Sequence, residues 1–265
     1  MSLLFKDKNI ESVWYGPSPE EAPTLIFLHE GLGCVSMWRD FPEKLSRKTE
    51  CGALVFSRLG YGGSDSFPLP RELDFLHHEA FIELPKILTE YKIQEYILIG
   101  HSDGASIALI FGGMSSKCGL LGIVCEAPHV FCENITIFSI KKIKNLYYNG
   151  NLRERLKKHH GKNVDNAFNG WVDVWLDPNF TSWNIESYLP KIYVPQLIIQ
   201  GLNDEYGTSQ QVEAIKNQSG NSVETCFLKN CGHTPHIDQE KKTIKAMDLF
   251  IRKLIVKKNT KYLSF

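Results

Sequence analysis

The sequence predicts an α/β fold with a mainly parallel β-sheet that is covered by helices on both faces. Short, continuous apolar runs recur along the chain, amphipathic stretches with a helical period separate them, and glycine-rich or polar turns follow the runs. Continuous apolar runs are typical of strands that are buried on both faces. With 265 residues, of which 43% are hydrophobic, the chain can form one large core.

Seven runs are predicted to be strands, and five stretches between them are predicted to be helices. The strands are expected at 10–15, 24–28, 53–56, 96–99, 121–125, 196–200 and 223–228. The helices are expected at 36–49, 74–91, 105–114, 209–218 and 237–256. The first strand is expected to be a short edge strand or one arm of a hairpin, and the turn Gly16-Pro17-Ser18-Pro19 ends it.

The alternation of strands and helices stops between residues 131 and 190. This stretch has no good parallel-strand run, but it has basic helical segments and three of the five tryptophans. We interpret 131–190 as a helical insertion, and 1–130 together with 191–265 as the α/β core. Trp171, Trp175 and Trp183 either line a substrate pocket or form the insertion's own core, and the sequence leaves both open.

The motif Gly100-His101-Ser102-Asp103-Gly104 lies between a predicted strand and a predicted helix. Strand, Gly-x-Ser-x-Gly and helix together form the context of a nucleophile elbow. Glycine is needed at both ends because strand and helix nearly touch there, and the helix N-terminus favours negative charge beside the serine. The alternative is a glycine-rich turn with a capping serine.

A serine nucleophile needs a base and an acid that orients the base, and both follow predicted strands. Asp204 comes just after the strand at 196–200, and His233 just after the strand at 223–228. Because the carboxyl ends of parallel strands meet at one edge of a sheet, we expect these side chains to converge on Ser102. Glu126 is the alternative acid and His236 the nearest alternative base.

The expected oxyanion site uses two backbone N–H groups. Asp103 follows the nucleophile, so its N–H points into the same space. The second donor should come from the loop after the strand at 24–28; we predict Gly31, with Leu32 as the alternative if the turn is shifted by one residue.

The chain resembles the α/β-hydrolase superfamily in five segments that occur in the family's order. They are His29-Glu30-Gly31-Leu32-Gly33, Arg58-Leu59-Gly60-Tyr61-Gly62-Gly63-Ser64, Gly100 to Gly104, Gly201 to Asp204, and Gly232-His233-Thr234-Pro235. The resemblance implies an eight-stranded, mostly parallel sheet with a helical cap that covers the active site. Glu30 departs from the family's usual glycine, and Ser57 from its usual aspartate. Ser102 argues against the haloalkane dehalogenases and epoxide hydrolases, which use aspartate.

The expected function is that of a serine hydrolase acting on a small carboxylic ester, thioester or lactone through an acyl-enzyme on Ser102. Relatives with the same triad also cleave carbon–carbon bonds or form peracids, and these alternatives stay open. A non-catalytic, ligand-binding member of the fold is the alternative from another class.

Composition narrows the expected partners and location. Thirty basic and thirty acidic residues give no net charge, so no global field attracts nucleic acid or an anionic membrane. Seven cysteines, without a C-x-x-C pair, and no visible signal peptide predict a cytoplasmic protein with free thiols. We expect a small-molecule substrate, no organic cofactor and no metal, while homo-oligomerisation stays open. The histidine pairs at 77–78 and 159–160 lack further ligands at metal-binding spacing.

Overall fold

The computed structural model describes residues 2–5, 8–114 and 118–262, with the backbone alone at 2–5 and 257–262. Eight strands form one sheet. They are β1 (Ser2–Phe5), β2 (Lys8–Tyr15), β3 (Thr24–Leu28), β4 (Gly52–Phe56), β5 (Tyr96–His101), β6 (Leu120–Glu126), β7 (Gln196–Gly201) and β8 (Val223–Leu228).

The strands are arranged in the order β1-β2-β4-β3-β5-β6-β7-β8. Strand β2 is antiparallel to both of its neighbours, and all other neighbouring strands are parallel. The predicted eight-stranded, mostly parallel sheet is therefore confirmed. Of the two expectations for the strand at 10–15, the edge position is wrong and the hairpin arm is confirmed, because the preceding strand β1 pairs antiparallel along its outer side, with Ser2 opposite Glu11.

Ten α-helices lie among the described residues. They are α1 (Phe41–Thr49), α2 (Phe75–His78), α3 (Leu84–Glu90), α4 (Asp103–Gly112), α5 (Asn134–Asn149), α6 (Leu152–His160), α7 (Val164–Trp175), α8 (Ser209–Gln218), α9 (Pro235–Asp238) and α10 (Glu240–Tyr262). The predicted helix at 36–49 is broken at Arg39, whose φ of 54° cannot continue a helix. No helix in the described ranges is long and apolar enough to span a membrane.

Two apolar clusters, one for each face of the sheet, form the core. Leu28, Leu98 and Ile198 belong to one cluster, and Phe27, Ile97 and Ile199 belong to the other. Successive strand residues point to opposite faces, so these neighbours serve both clusters. This double burial explains why the strands appear in the sequence as continuous apolar runs.

The segment between β6 and β7 consists of helices and helical turns. Helices α5, α6 and α7 are followed by 3₁₀ turns at Pro178–Ser182 and Glu186–Lys191. The side chain of Phe168 on α7 stacks on Tyr147 of α5, with ring centroids 3.5 Å apart. The segment thus packs through aromatic side chains, and it lies above the carboxyl ends of the parallel strands, where its side chains reach the cavity described below.

Candidate active site

Ser102 occupies a strained turn between β5 and α4. Its backbone has a φ of 53° and a ψ of −116°, a conformation that a non-glycine residue rarely adopts. A Cβ atom at Gly100 would lie 2.3 Å from the Gly104 carbonyl oxygen, and one at Gly104 would lie 1.9 Å from the Leu28 carbonyl oxygen. Both glycines are therefore required sterically, and the tight turn lifts the serine to the edge of the sheet.

The structure brings the three predicted side chains into one hydrogen-bonded chain. Ser102 Oγ lies 2.9 Å from His233 Nε2, and His233 Nδ1 lies 2.9 Å from each carboxylate oxygen of Asp204. Because the carboxylate can only accept, Nδ1 carries the imidazole proton, and Nε2 is free to accept the proton of Ser102. The arrangement can therefore act as a nucleophile, a base and an orienting acid.

Asp204 is held as a carboxylate by its surroundings. Its Oδ1 accepts hydrogen bonds from the backbone N–H groups of Tyr206 and Gly207, at 2.8 and 3.2 Å, and its Oδ2 accepts one from Gln200 Nε2 at 2.8 Å. Burial acts to raise the pKa of Asp204, but the electrostatic interaction and hydrogen bond with His233, together with the backbone donors, lower it to about 2. The acid is thus ionised at neutral pH and fixes the imidazole.

The predicted oxyanion donors lie beside the serine. Among the described residues, no acceptor takes a hydrogen bond from the backbone N–H of Gly31 or of Asp103, and both residues line the same cavity as Ser102. The alternative donor, Leu32, lines it too. The indole of Trp171 covers Gly31 so closely that a Cβ atom there would lie 2.0 Å from Nε1. Two free N–H groups at this place could stabilise a developing negative charge.

Comparison with known proteins identifies the fold. A family model described as the alpha/beta hydrolase fold matches residues 23–118. VinJ superposes with a TM-score of 0.76 at 18% identity, over 96% of this chain and 98% of VinJ. The chain has the α/β-hydrolase fold. The resemblance drawn from its motifs is confirmed at that level.

Two further solved structures share the α/β-hydrolase fold with this chain. The enol-lactonase from Burkholderia xenovorans LB400 has a TM-score of 0.74 at 14% identity, over 95% of this chain and 100% of that one. The esterase EaEST from Exiguobacterium antarcticum has a TM-score of 0.73 at 17% identity, over 92% and 96% of the two chains. No curated protein sequence matches this chain.

The two alternative residues weighed from the sequence are paired with each other. Glu126 Oε2 accepts hydrogen bonds from His236 Nδ1 at 2.7 Å and from the His236 backbone N–H at 3.1 Å. Both side chains are buried, and neither is among the described residues that line the cavity. The geometry therefore brings Asp204 and His233 to Ser102, and it leaves Glu126 and His236 as a separate buried pair.

A cavity of about 360 Å³ opens in front of Ser102. The segment between β6 and β7 supplies part of its wall, namely Thr136, Ile140, Arg155, Trp171 and Trp175. Of the tryptophans left open by the sequence, two thus line the cavity, whereas Trp183 stacks on Phe180 with ring centroids 5.4 Å apart. The remaining lining residues come from loops at the sheet edge; they are Glu30, Gly31, Leu32, Met37, His101, Ser102, Asp103, His129, Glu205, Tyr206, His233 and Thr234.

Sequence reasoning gave no role to three polar side chains of the cavity. His129 is buried and has no hydrogen-bond partner for its ring among the described residues; burial lowers its pKa to about 3, so it is neutral. Asp103 accepts a hydrogen bond from Trp175 Nε1 at 3.2 Å, and burial raises its pKa to about 6. His101 lies between Glu30 and the backbone of His233. Position offered one signal: each lies at the carboxyl end of a parallel strand or just beyond it.

The histidine pairs at 77–78 and 159–160 have ordinary neighbours. His159 Nδ1 lies 2.8 Å from Ser36 Oγ, and His160 lies 2.9 Å from the Leu32 carbonyl oxygen while accepting the N–H of Gly62. These contacts fasten the end of α6 to the loop that carries Gly31. Within the described ranges, no group of three or more His, Cys, Asp or Glu side chains could hold a metal ion.

Proposed function

We propose that this protein is a serine hydrolase that cleaves a small carboxylic ester, thioester or lactone through an acyl-enzyme on Ser102. The observation that carries the proposal is the continuous chain from Ser102 Oγ through His233 to Asp204, with each step at 2.9 Å. The free N–H groups of Gly31 and Asp103 beside it supply the complementary electrostatics.

In the first half-reaction, His233 Nε2 takes the proton of Ser102 Oγ as the oxygen attacks the substrate carbonyl. The carbonyl oxygen becomes an oxyanion that accepts hydrogen bonds from the N–H groups of Gly31 and Asp103. The carbon–oxygen or carbon–sulfur bond then breaks, and the leaving group takes the proton from His233. The acyl group stays on Ser102.

In the second half-reaction, His233 accepts a proton from water, which attacks the acyl carbon. The tetrahedral intermediate collapses, the proton returns to Ser102, and the carboxylic acid leaves. Asp204 stays ionised in both halves, because its carboxylate is held by three donors besides the imidazole. The indole of Trp171 covers Gly31, and Trp175 lines the same cavity.

The size and lining of the cavity favour a small acyl substrate. A volume of about 360 Å³ lies at the small end of ligand sites, and Ile140, Trp171 and Trp175 give its outer part an apolar wall. The enol-lactonase and the esterase that share the fold are consistent with this substrate class.

The test combines covalent labelling with a substrate panel. We expect a fluorophosphonate probe to label wild type once, at Ser102, and to leave Ser102→Ala unlabelled. Ser106→Ala is the matched control: Ser106 lies in α4 and donates to the His129 carbonyl oxygen at 2.6 Å, so its removal should keep the label. p-Nitrophenyl esters of graded length, thioesters, lactones and a dienoic ketone then separate the substrate classes. A wild type that neither reacts with the probe nor turns over any of these would refute the proposal.

A further inference from the structure

A buried ion pair connects the loop that carries Gly31 with the loop that carries His233. His101 Nδ1 lies 3.4 Å from Glu30 Oε2, and His101 Nε2 lies 2.7 Å from the backbone carbonyl oxygen of His233. The His101 side chain is 1% exposed and that of Glu30 is 21% exposed. One imidazole thus contacts both the oxyanion loop and the loop of the proposed base.

The two contacts determine the protonation of His101. A carbonyl oxygen can only accept, so Nε2 must carry a proton. A neutral ring would then leave an unprotonated Nδ1 3.4 Å from a carboxylate oxygen of Glu30, and two acceptors at this distance repel each other. We therefore expect the ring to be an imidazolium that is protonated on both nitrogens. Burial acts to lower the pKa of His101, but the Glu30 carboxylate raises it to about 9.

Other charged groups face this pair from several elements. The rings of His233 and His236 lie 5.2 and 5.1 Å from the ring of His101, and Glu126 adds a favourable negative charge. On the Glu30 side, His29 adds a positive partial charge that favours the carboxylate. Because Glu30 balances the charge of His101, the pair brings no net charge to His233.

The sequence makes room for the pair. A Cβ atom at Gly33 would lie 2.2 Å from Glu30 Oε2, so glycine at this position admits the carboxylate. Arg58 Nη2 donates to the Glu30 carbonyl oxygen at 3.2 Å, and Arg58 Nη1 donates to the His29 carbonyl oxygen at 2.5 Å. Arg58 therefore holds the backbone next to Gly31. The side chain of Glu30 connects this loop to the loop of His233 through His101.

We propose that Glu30 and His101 are positioning residues which form a charged bridge that fixes the oxyanion donor Gly31 relative to His233. The inference rests on the proposed function, because it assigns the bridge a part in the hydrolysis. The bridge itself does not touch the reacting atoms. It sets the distance between the group that stabilises the oxyanion and the group that moves the proton.

The test uses Glu30→Gln, His101→Gln and the double variant, with Asp248→Asn as the matched control. Asp248 is a buried acid with a basic partner, Arg252 at 2.7 Å, as Glu30 has in His101, but it lies outside the described lining of the cavity. We expect each bridge variant to lower kcat by about 10- to 100-fold with little change in KM. Displaced catalytic groups stabilise the transition state less, whereas binding of the substrate in the ground state changes little. The double variant should lose less than the product of the single losses, since two amides can hydrogen-bond.

Two readouts separate positioning from a general loss of structure. In wild type, kcat/KM should decline above a pH of about 9, where His101 loses its proton, and His101→Gln should lack this decline. In ¹⁵N NMR spectra at neutral pH, both ring nitrogens of His101 should be protonated, in wild type and in Ser102→Ala alike.

The outcomes distinguish the bridge from the hydrolase proposal. An inactive, unlabelled wild type with a doubly protonated His101 would overturn the proposed function and leave the ion pair itself supported. An active wild type with bridge variants at full kcat, or with a neutral His101, would overturn the bridge. Equal losses of activity in Asp248→Asn and Glu30→Gln would also overturn it.

Discussion

Replacing Asp204 with asparagine tests the assignment of the acid, and the structure gives the size of the effect. The backbone N–H groups of Tyr206 and Gly207 both donate to Oδ1, so the amide oxygen of the new side chain must take that place. The NH₂ group then takes the place of Oδ2, 2.9 Å from His233 Nδ1. The Nδ1 proton then keeps one acceptor, the oxygen at the Oδ1 place 2.9 Å away, which two backbone N–H groups already occupy. The NH₂ group beside Nδ1 therefore favours the tautomer with its proton on Nε2, which cannot accept the proton of Ser102.

A wrong tautomer at a triad histidine costs about 10⁴-fold in kcat, or about 5.4 kcal/mol of transition-state stabilisation. We expect a loss of this size for Asp204→Asn in hydrolysis of a short p-nitrophenyl ester, with KM nearly unchanged. Glu126→Gln is the control with the same chemical change at a buried acid, and it should stay close to wild-type activity. If Glu126→Gln lost the activity and Asp204→Asn kept it, the acid would be Glu126 and our assignment would be wrong.

Three further predictions follow from contacts around the site. Gly104→Ala should fail to fold, or its free energy of unfolding in urea should fall by several kcal/mol, because the new Cβ would lie 1.9 Å from the Leu28 carbonyl oxygen. A variant as stable as wild type would contradict the elbow geometry. Gly31→Ala should lower kcat/KM, because the new Cβ would lie 2.0 Å from Trp171 Nε1. Adding Trp171→Leu to this variant should restore part of kcat/KM by making room for the Cβ. If the double variant shows no recovery, Trp171 is not the obstacle. Burial raises the pKa of Asp103 to about 6, so ionisation of this carboxyl lowers the stability of the folded protein as pH rises from about 4 to 6. Relative to wild type, Asp103→Asn should therefore raise the free energy of unfolding by up to about 2–3 kcal/mol more at pH 8 than at pH 4. Equal effects at both pH values would refute this prediction.

Much of the site could be predicted from the sequence because each functional residue follows a predicted strand. Ser102, Asp204 and His233 each come within a few residues of the end of such a strand, and parallel strands bring those ends to one edge. The elbow glycines add a steric demand that is local and therefore visible in five residues.

The pairing of acids with histidines could not be predicted in the same way. Glu30 follows β3, Glu126 ends β6, and His101 and His236 lie at the same edge, so spacing alone allows several pairings. In the structure, Glu126 contacts His236 at 2.7 Å and Glu30 contacts His101 at 3.4 Å. Such contacts between distant segments depend on tertiary packing, which local sequence does not encode.

The residues that line the cavity could not be predicted from the sequence either. Trp171 and Trp175 are four residues apart on α7, so they share a helix face. Whether that face meets the cavity or the interior of the insertion depends on how α7 packs on α5 and on the turn at Pro178–Ser182. The structure shows both at once, because Trp175 lines the cavity and also contacts Phe180 with ring centroids 5.0 Å apart.

Trapping the covalent intermediate tests the central claim most directly. A slowly deacylating ester should be mixed with the protein, quenched in acid within the first turnover and examined by intact and peptide mass spectrometry. The account predicts one acyl group per chain, on Ser102, and none in Ser102→Ala. Turnover that persists in Ser102→Ala, or an acyl group found on another residue, would contradict it.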